Sequence, residues 1–116
     1  MSQGFHAQVR QIQNSAVIDL VGEINGAADE MLNSVYTQAE SQNPARIILN
    51  FTQVSYVNST GIALIVGLMA RARKARRQLA VYGLSDHYKE IFQITRLVDF
   101  LTIYEDESAA EKNQAL

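Results

Sequence analysis

Cysteine is absent from the 116 residues, which removes disulfides, thiolate metal sites and cysteine nucleophiles together. Histidine is nearly absent. His6 lies in a strand-like region and His87 in the first turn of a late helix, and neither has the spacing to a second ligand that zinc or iron requires. Proline occurs once, at Pro44. Neither sign of charge dominates: 10 Lys and Arg stand against 12 Asp and Glu, a net of -2, so nothing global points to nucleic acid or to an anionic membrane. No segment reaches the length of a membrane span, because the run Gly61 to Ala70 stops at Arg71. The opening residues, Met1 to His6, lack the basic-then-apolar pattern of a secretion signal, and the cytoplasm is the expected location.

The sequence also lacks the frames of common active sites. Ser59 has no G-x-S-x-G around it, since Gly61 supplies only half of that elbow. No G-x-x-x-x-G-K-S/T and no G-x-G-x-x-G is present to cradle phosphates. Asp19 and Glu23 share one strand, and two acids on one strand face read as a wet face. The expectation is a protein that is not an enzyme, with no catalytic residues, metal or cofactor.

What is present is an ordinary globular balance, 47% hydrophobic and 19% charged, in a length that buries one core. Residues 1–116 read as a single domain. Phe5 to Ile12 alternates as an edge strand, and Ala16 to Ile24 follows as its hairpin partner. Asn25-Gly26 turns the chain into a helix from Ala27 to Ser41, with Asp29-Glu30 at its positive end and Asn43-Pro44 closing it. A buried strand, Arg46 to Val57, leads into a long helix from Ser59 to Arg77. Gln78 to Leu84 gives a short buried strand. Ser85 caps a helix reaching Leu97, with Ile91, Ile94 and Leu97 facing inward. Val98 to Tyr104 is a last strand, and Glu105 to Ser108 opens a final short helix. The order β-β-α-β-α-β-α-β-α implies an α/β fold with a small, mixed, mostly parallel sheet.

The chain is organised around the junction of the Arg46–Val57 strand with the long helix. Asn58, Ser59 and Thr60 stand there, three side chains able to accept hydrogen bonds from the free N–H groups of a first helical turn. A hydroxyl at that place lies at the positive end of a helix, where added negative charge is tolerated. At about 100° per residue, Gly61, Ile62, Ile65, Leu68, Met69 and Ala72 fall on the arc packed against the sheet. The opposite arc carries Ala63, Val66, Gly67 and Ala70, with Ser59 near its head and no charge before Arg71. Two readings stand side by side. The small residues serve helix propensity or packing in a crowded layer, or they form a docking strip that lets a partner approach the helix closely. The cluster Arg71 to Arg77, five of the ten cations, reads as a solvated helix end.

The run Ile47 to Ile62 (Ile-Ile-Leu-Asn-Phe-Thr-Gln-Val-Ser-Tyr-Val-Asn-Ser-Thr-Gly-Ile) resembles the STAS domain of bacterial anti-sigma factor antagonists. Val21-Gly22-Glu23-Ile24-Asn25, Leu79 to Leu84 and Phe92 to Tyr104 match the same pattern in order, so the resemblance covers nearly the whole chain. It implies a bacterial partner switch in signal transduction and transcription regulation. The unphosphorylated antagonist binds an anti-sigma factor serine kinase and frees a sigma factor or other target, and a PP2C-type phosphatase reverses the phosphorylation. By motif position Ser59 is the phosphoacceptor, with Thr60 as second choice. The partner surface takes in Asn25, Asn58, Ser59, Thr60, Ala63, Val66, Gly67 and Ala70. The expected protein is a monomer or weak dimer that binds neither nucleic acid nor membrane. Two positions depart from the family: Asn58 and Asn25 stand where it usually carries acids. The alternative is a STAS scaffold, or an accessory subunit of, for example, a lipid transport system, acting by protein contact without phosphorylation.

Overall fold

The computed structural model describes residues 4–113. Five strands form one sheet in the order β1-β2-β3-β4-β5. β1 (His6–Ile12) runs antiparallel to β2 (Ser15–Ile24), and β3 (Arg46–Val57), β4 (Gln78–Tyr82) and β5 (Thr102–Tyr104) continue parallel to β2. The helices are α1 (Asp29–Glu40), α2 (Ser59–Lys74), α3 (Asp86–Ile94) and α4 (Glu107–Glu111), with a 3₁₀ turn at Gly26–Ala28 and another at Leu97–Asp99. The expected order is therefore the observed one.

Strand alternation divides the side chains between two faces. Ala16, Ile18 and Leu20 of β2, with Ile47, Leu49 and Phe51 of β3, point to the main core, which α1, α2 and α3 cover with Leu32, Tyr36, Ile65, Leu68 and Phe92. Val17, Ile48, Ala80, Tyr82 and Tyr104 point the other way and pack against Ala110 of α4. That short helix is held by charge as well as by apolar contact. Glu107 accepts hydrogen bonds from Arg10 (2.7 Å) and from the Tyr82 hydroxyl (2.6 Å), and Arg10 also pairs with Asp19 (2.5 Å). Asp19, expected on a wet face, is instead tied to β1 by Arg10 and to β3 by Asn50.

Several boundaries differ from the sequence reading, each for a local reason. α2 ends at Lys74, and Arg76 takes a left-handed backbone at φ 55° that no helix continues through. Arg71 and Arg77 are not a solvated end. Arg71 donates to Asn33, Thr37 and Glu40 and lies 4.5 Å over the Tyr36 ring, which clamps α2 to α1, while Arg77, past the end of α2, donates to Pro44 and Asn43 in the loop that follows α1. Arg73, Lys74 and Arg76 do remain exposed. α3 stops at Ile94 because Arg96 is again left-handed, φ 65°. Ile94 consequently points outward, 73% exposed, while Ile91 packs against the main core as expected and the fully buried positions of α3 are Tyr88 and Phe92. Leu97 is buried, but in the 3₁₀ turn, and that turn takes the place of the expected start of β5 at Val98.

Candidate functional site

Parallel strands deliver their carboxyl ends to one edge of the sheet, and here every one of those ends is followed by a helix cap. Asn25 after β2 accepts from Ala27 N–H (2.9 Å) and Asn58 after β3 from Gly61 N–H (2.8 Å). Ser85 after β4 accepts from Tyr88 N–H (3.3 Å), and Asp106 after β5 from Ala109 N–H (2.8 Å). All four are residue types whose side-chain oxygen satisfies an orphan helical donor.

Two of these caps frame the exposed hydroxyls of Ser59 and Thr60. Ile24 and Val57 are register partners, so Asn25 and Asn58 each stand one residue beyond a paired strand end. Asn58 N–H reaches back to the Ile24 carbonyl at 3.2 Å, which keeps the two ends joined past the last pair. The next turn of α2 carries Ser59 and Thr60, both exposed. Gly26 lies beside Thr60, since a Cβ on that glycine would stand 3.6 Å from the threonine methyl. Asn25, Asn58, Ser59 and Thr60 thus form one patch. Because Asn58 does the capping, Ser59 at the first helical position is not needed for it.

The amide of each asparagine is oriented by its capping role. An N–H donor fixes Oδ1 toward the helix, which leaves Nδ2, a donor only, to face elsewhere. The first two N–H groups of α2, on Ser59 and Thr60, have no intrahelical partner by the geometry of a helix start. The patch therefore offers hydrogen-bond donors and carries no carboxylate of its own. The nearest acids in sequence are Glu23 and Asp29.

From Ser59 the strip continues along α2. Ala63, Val66, Gly67 and Ala70 are all exposed, with Val66 at 42%, and a Cβ built on Gly67 meets nothing within 4 Å. The opposite arc is buried at Gly61, Ile65, Leu68, Met69 and Ala72, and Ile62 is half-buried. The exposure of all four residues excludes crowded packing against this domain, and leaves helix propensity and docking as the two readings of the strip. Ser59 to Ala70 spans about 16 Å of helix, a narrow uncharged surface running away from the hydroxyls.

Two aromatic residues at this edge escaped the sequence reading. Tyr56 is 54% exposed three residues before Ser59, and only a count of the strand faces after the irregular register of β2 with β3 places it outside. Tyr88, buried, accepts a hydrogen bond from Val57 N–H at 2.8 Å, a contact between residues 31 apart that no local pattern announces. His6 and His87 are not brought together with other ligands: among the described residues no group of three His, Asp or Glu is placed to hold a metal ion. Among the same residues no helix is long and apolar enough to cross a membrane.

The chain is similar to known proteins in sequence and in fold. The STAS domain family matches residues 6–110. The anti-sigma-B factor antagonist of Staphylococcus aureus is 31% identical over 84 residues, 72% of this chain and 78% of that protein. The anti-sigma-B factor antagonist of Listeria monocytogenes is 29% identical over 98 residues, 84% of this chain and 86% of its own length. In structure, an anti-sigma factor antagonist from Mycobacterium paratuberculosis superposes with TM-score 0.82 at 15% identity, covering 97% of both chains. The unphosphorylated anti-sigma factor antagonist SpoIIAA superposes with TM-score 0.72 at 21% identity, covering 94% of this chain and 96% of its own. These curated relatives are named as antagonists, regulatory binding proteins rather than enzymes. With its sheet order, its capped strand ends and a family match from the first strand to the last helix, this chain belongs to the STAS domain family, among the relatives of the anti-sigma factor antagonists.

Proposed function

We propose that the protein is a phosphorylation-controlled antagonist. Its unphosphorylated form binds an anti-sigma factor serine kinase through the Ser59 patch and the strip beyond it, and this binding frees a sigma factor or another target of the kinase. Phosphorylation of Ser59 switches it off, and a PP2C-type phosphatase restores it. The observation that carries this reading is an exposed serine that α2 does not need as its cap, at the head of an exposed uncharged strip. One structural relative is SpoIIAA in a phosphorylated form, with TM-score 0.69 at 23% identity, so the fold is compatible with a bound phosphate in that protein.

The local chemistry supports the same role. A phosphoserine brings about -1.5 to -2 charges at pH 7. It would meet the positive end of α2, two free N–H groups and two asparagine amides, where acids at positions 25 and 58 would have repelled it. The test is reaction with ATP and the cognate kinase, followed by phosphopeptide mapping. Phosphate on Ser59 is the expected result, and phosphate confined to Thr60 overturns the assignment.

The same two asparagines favour one alternative. A kinase that recognises its substrate by acids at those positions would lose contacts here, which leaves a STAS scaffold that binds without being modified. Capture of partners from host lysate with and without ATP separates the two: the switch loses its kinase when ATP is present, and the scaffold keeps its partner.

A further inference from the structure

β3 is longer than its neighbour. Its pairing with β4 ends at Asn50 opposite Tyr82, so Phe51 to Val57 run on with β2 on one side and no strand on the other. Backbone groups of a strand point alternately to its two sides. Asn58 N–H turns toward β2 and reaches the Ile24 carbonyl, while the N–H and C=O of Val57 turn to the side that β4 has left.

Tyr88 occupies that side. Its hydroxyl accepts from Val57 N–H at 2.8 Å and lies 3.5 Å from the Val57 carbonyl as a donor, so one phenol answers both groups of the residue. The phenol is itself held in place. Tyr88 sits in the first turn of α3, its backbone N–H is bound by the Ser85 cap, and its ring is packed in the main core at 9% exposure. A buried strand end left without partners costs free energy, and here a side chain does the work of a missing strand. Two residues further on the chain reaches Ser59.

We propose that Tyr88 is the positioning residue of the Ser59 patch: its hydroxyl replaces the absent β4 neighbour at Val57 and thereby sets where the first turn of α2 begins. The turn is then fixed from both sides, by Ile24 across from Asn58 and Gly61, and by Tyr88 across from Val57. The consequence for partner binding rests on the proposed role of Ser59, but the structural part does not.

Tyr88→Phe is the test, because it keeps the ring in the core and deletes only the hydroxyl. Amide exchange is measured on the isolated, unphosphorylated protein. Exchange at Val57, Asn58, Gly61 and Ile62 is expected to accelerate by roughly tenfold, the factor one buried hydrogen bond is worth, while amides of β4 and α1 keep the parent rate. Affinity for the kinase is expected to fall by a comparable factor. Uniform acceleration over the whole core makes Tyr88 a general stabiliser and overturns the proposal, as does no acceleration at the strand end. Local acceleration with parental kinase affinity overturns its link to the partner surface. If the parent is not phosphorylated on Ser59 at all, the functional reading fails, and the exchange result still decides what Tyr88 positions.

Discussion

Gly61 of α2 lies directly against the Ile24 carbonyl at the end of β2. A Cβ on this glycine would overlap that oxygen and stand 2.8 Å from the carbonyl carbon and 2.9 Å from a Val57 methyl. Both carbonyl atoms belong to backbone that is paired in the sheet, so the obstruction is not the tip of a flexible side chain. The glycine is what lets the helix carrying Ser59 sit down on two strand ends at once. Gly67, six residues along the same helix, faces open space.

The two glycines therefore predict opposite outcomes for the same substitution. Gly61→Ala forces the helix off the strand ends and costs about 1–3 kcal/mol or more. Gly67→Ala removes a flexible residue from an exposed helix interior and adds up to about 1 kcal/mol. Chemical denaturation of the two variants beside the parent checks both signs.

The strip on α2 predicts a separation of stability from binding. Ala70→Glu places a charge on an exposed helical position, so stability stays within about 0.5 kcal/mol of the parent. Partner affinity drops, because the carboxylate must lose water against the docked surface. Melting temperature and a binding isotherm on the same sample decide it, and an unfolded variant would mean that Ala70 is core after all.

α4 predicts an acid-sensitive term. The Arg10 guanidinium, and after it the Tyr82 hydroxyl, hold the Glu107 carboxyl below its usual range. For Asp19, burial pushes the carboxyl up, but hydrogen bonds from Arg10 and Asn50 outweigh it and the net shift is downward. Depressed folded pKa values contribute stability that is complete above the unfolded values, about 3.9 for Asp and 4.3 for Glu, and is lost as pH falls through the folded ones. Melting temperature should decline below about pH 4.5, and Glu107→Gln should start lower and decline less. Parallel acid limbs for parent and variant would mean that the contacts of Glu107 with Arg10 and Tyr82 do not contribute to the acid sensitivity.

Much of this was legible in the residues, and the remainder follows from contacts that sequence does not display. A cap among Asn58, Ser59 and Thr60, Gly61 facing the sheet and the strip at Ala63, Val66, Gly67 and Ala70 all follow from one helical period and one cap rule, and the structure assigns the cap to Asn58 and puts the rest where the pattern does. The end of α3 did not follow. The apolar period continues through Ile94 to Leu97, and the left-handed turn at Arg96, a residue with no intrinsic preference for it, interrupts the period and turns Ile94 outward. Arg71 and Arg77 read as solvated because their acceptors, Asn33, Thr37, Glu40 and Asn43, lie more than thirty residues away. Tyr88 was invisible for the same reason. The face of a helix is a local property, while the partner of a long polar side chain is set by topology.

In the proposed switch, phosphate on Ser59 blocks binding by local charge and bulk without refolding the domain. At a helix N-terminus added negative charge is stabilised by roughly 0.3–1 kcal/mol, so the domain has no reason to melt. Against an apolar partner surface the same charge, left buried and unpaired, costs several kcal/mol, and every 1.4 kcal/mol is tenfold in affinity. The most direct measurement is melting temperature beside kinase affinity for Ser59→Asp and Ser59→Ala. Both variants are expected to melt with the parent, Ser59→Ala to bind as the parent does, and Ser59→Asp to bind far more weakly. A Ser59→Asp protein that loses stability and affinity together, or one that binds as tightly as the parent, would contradict this switch.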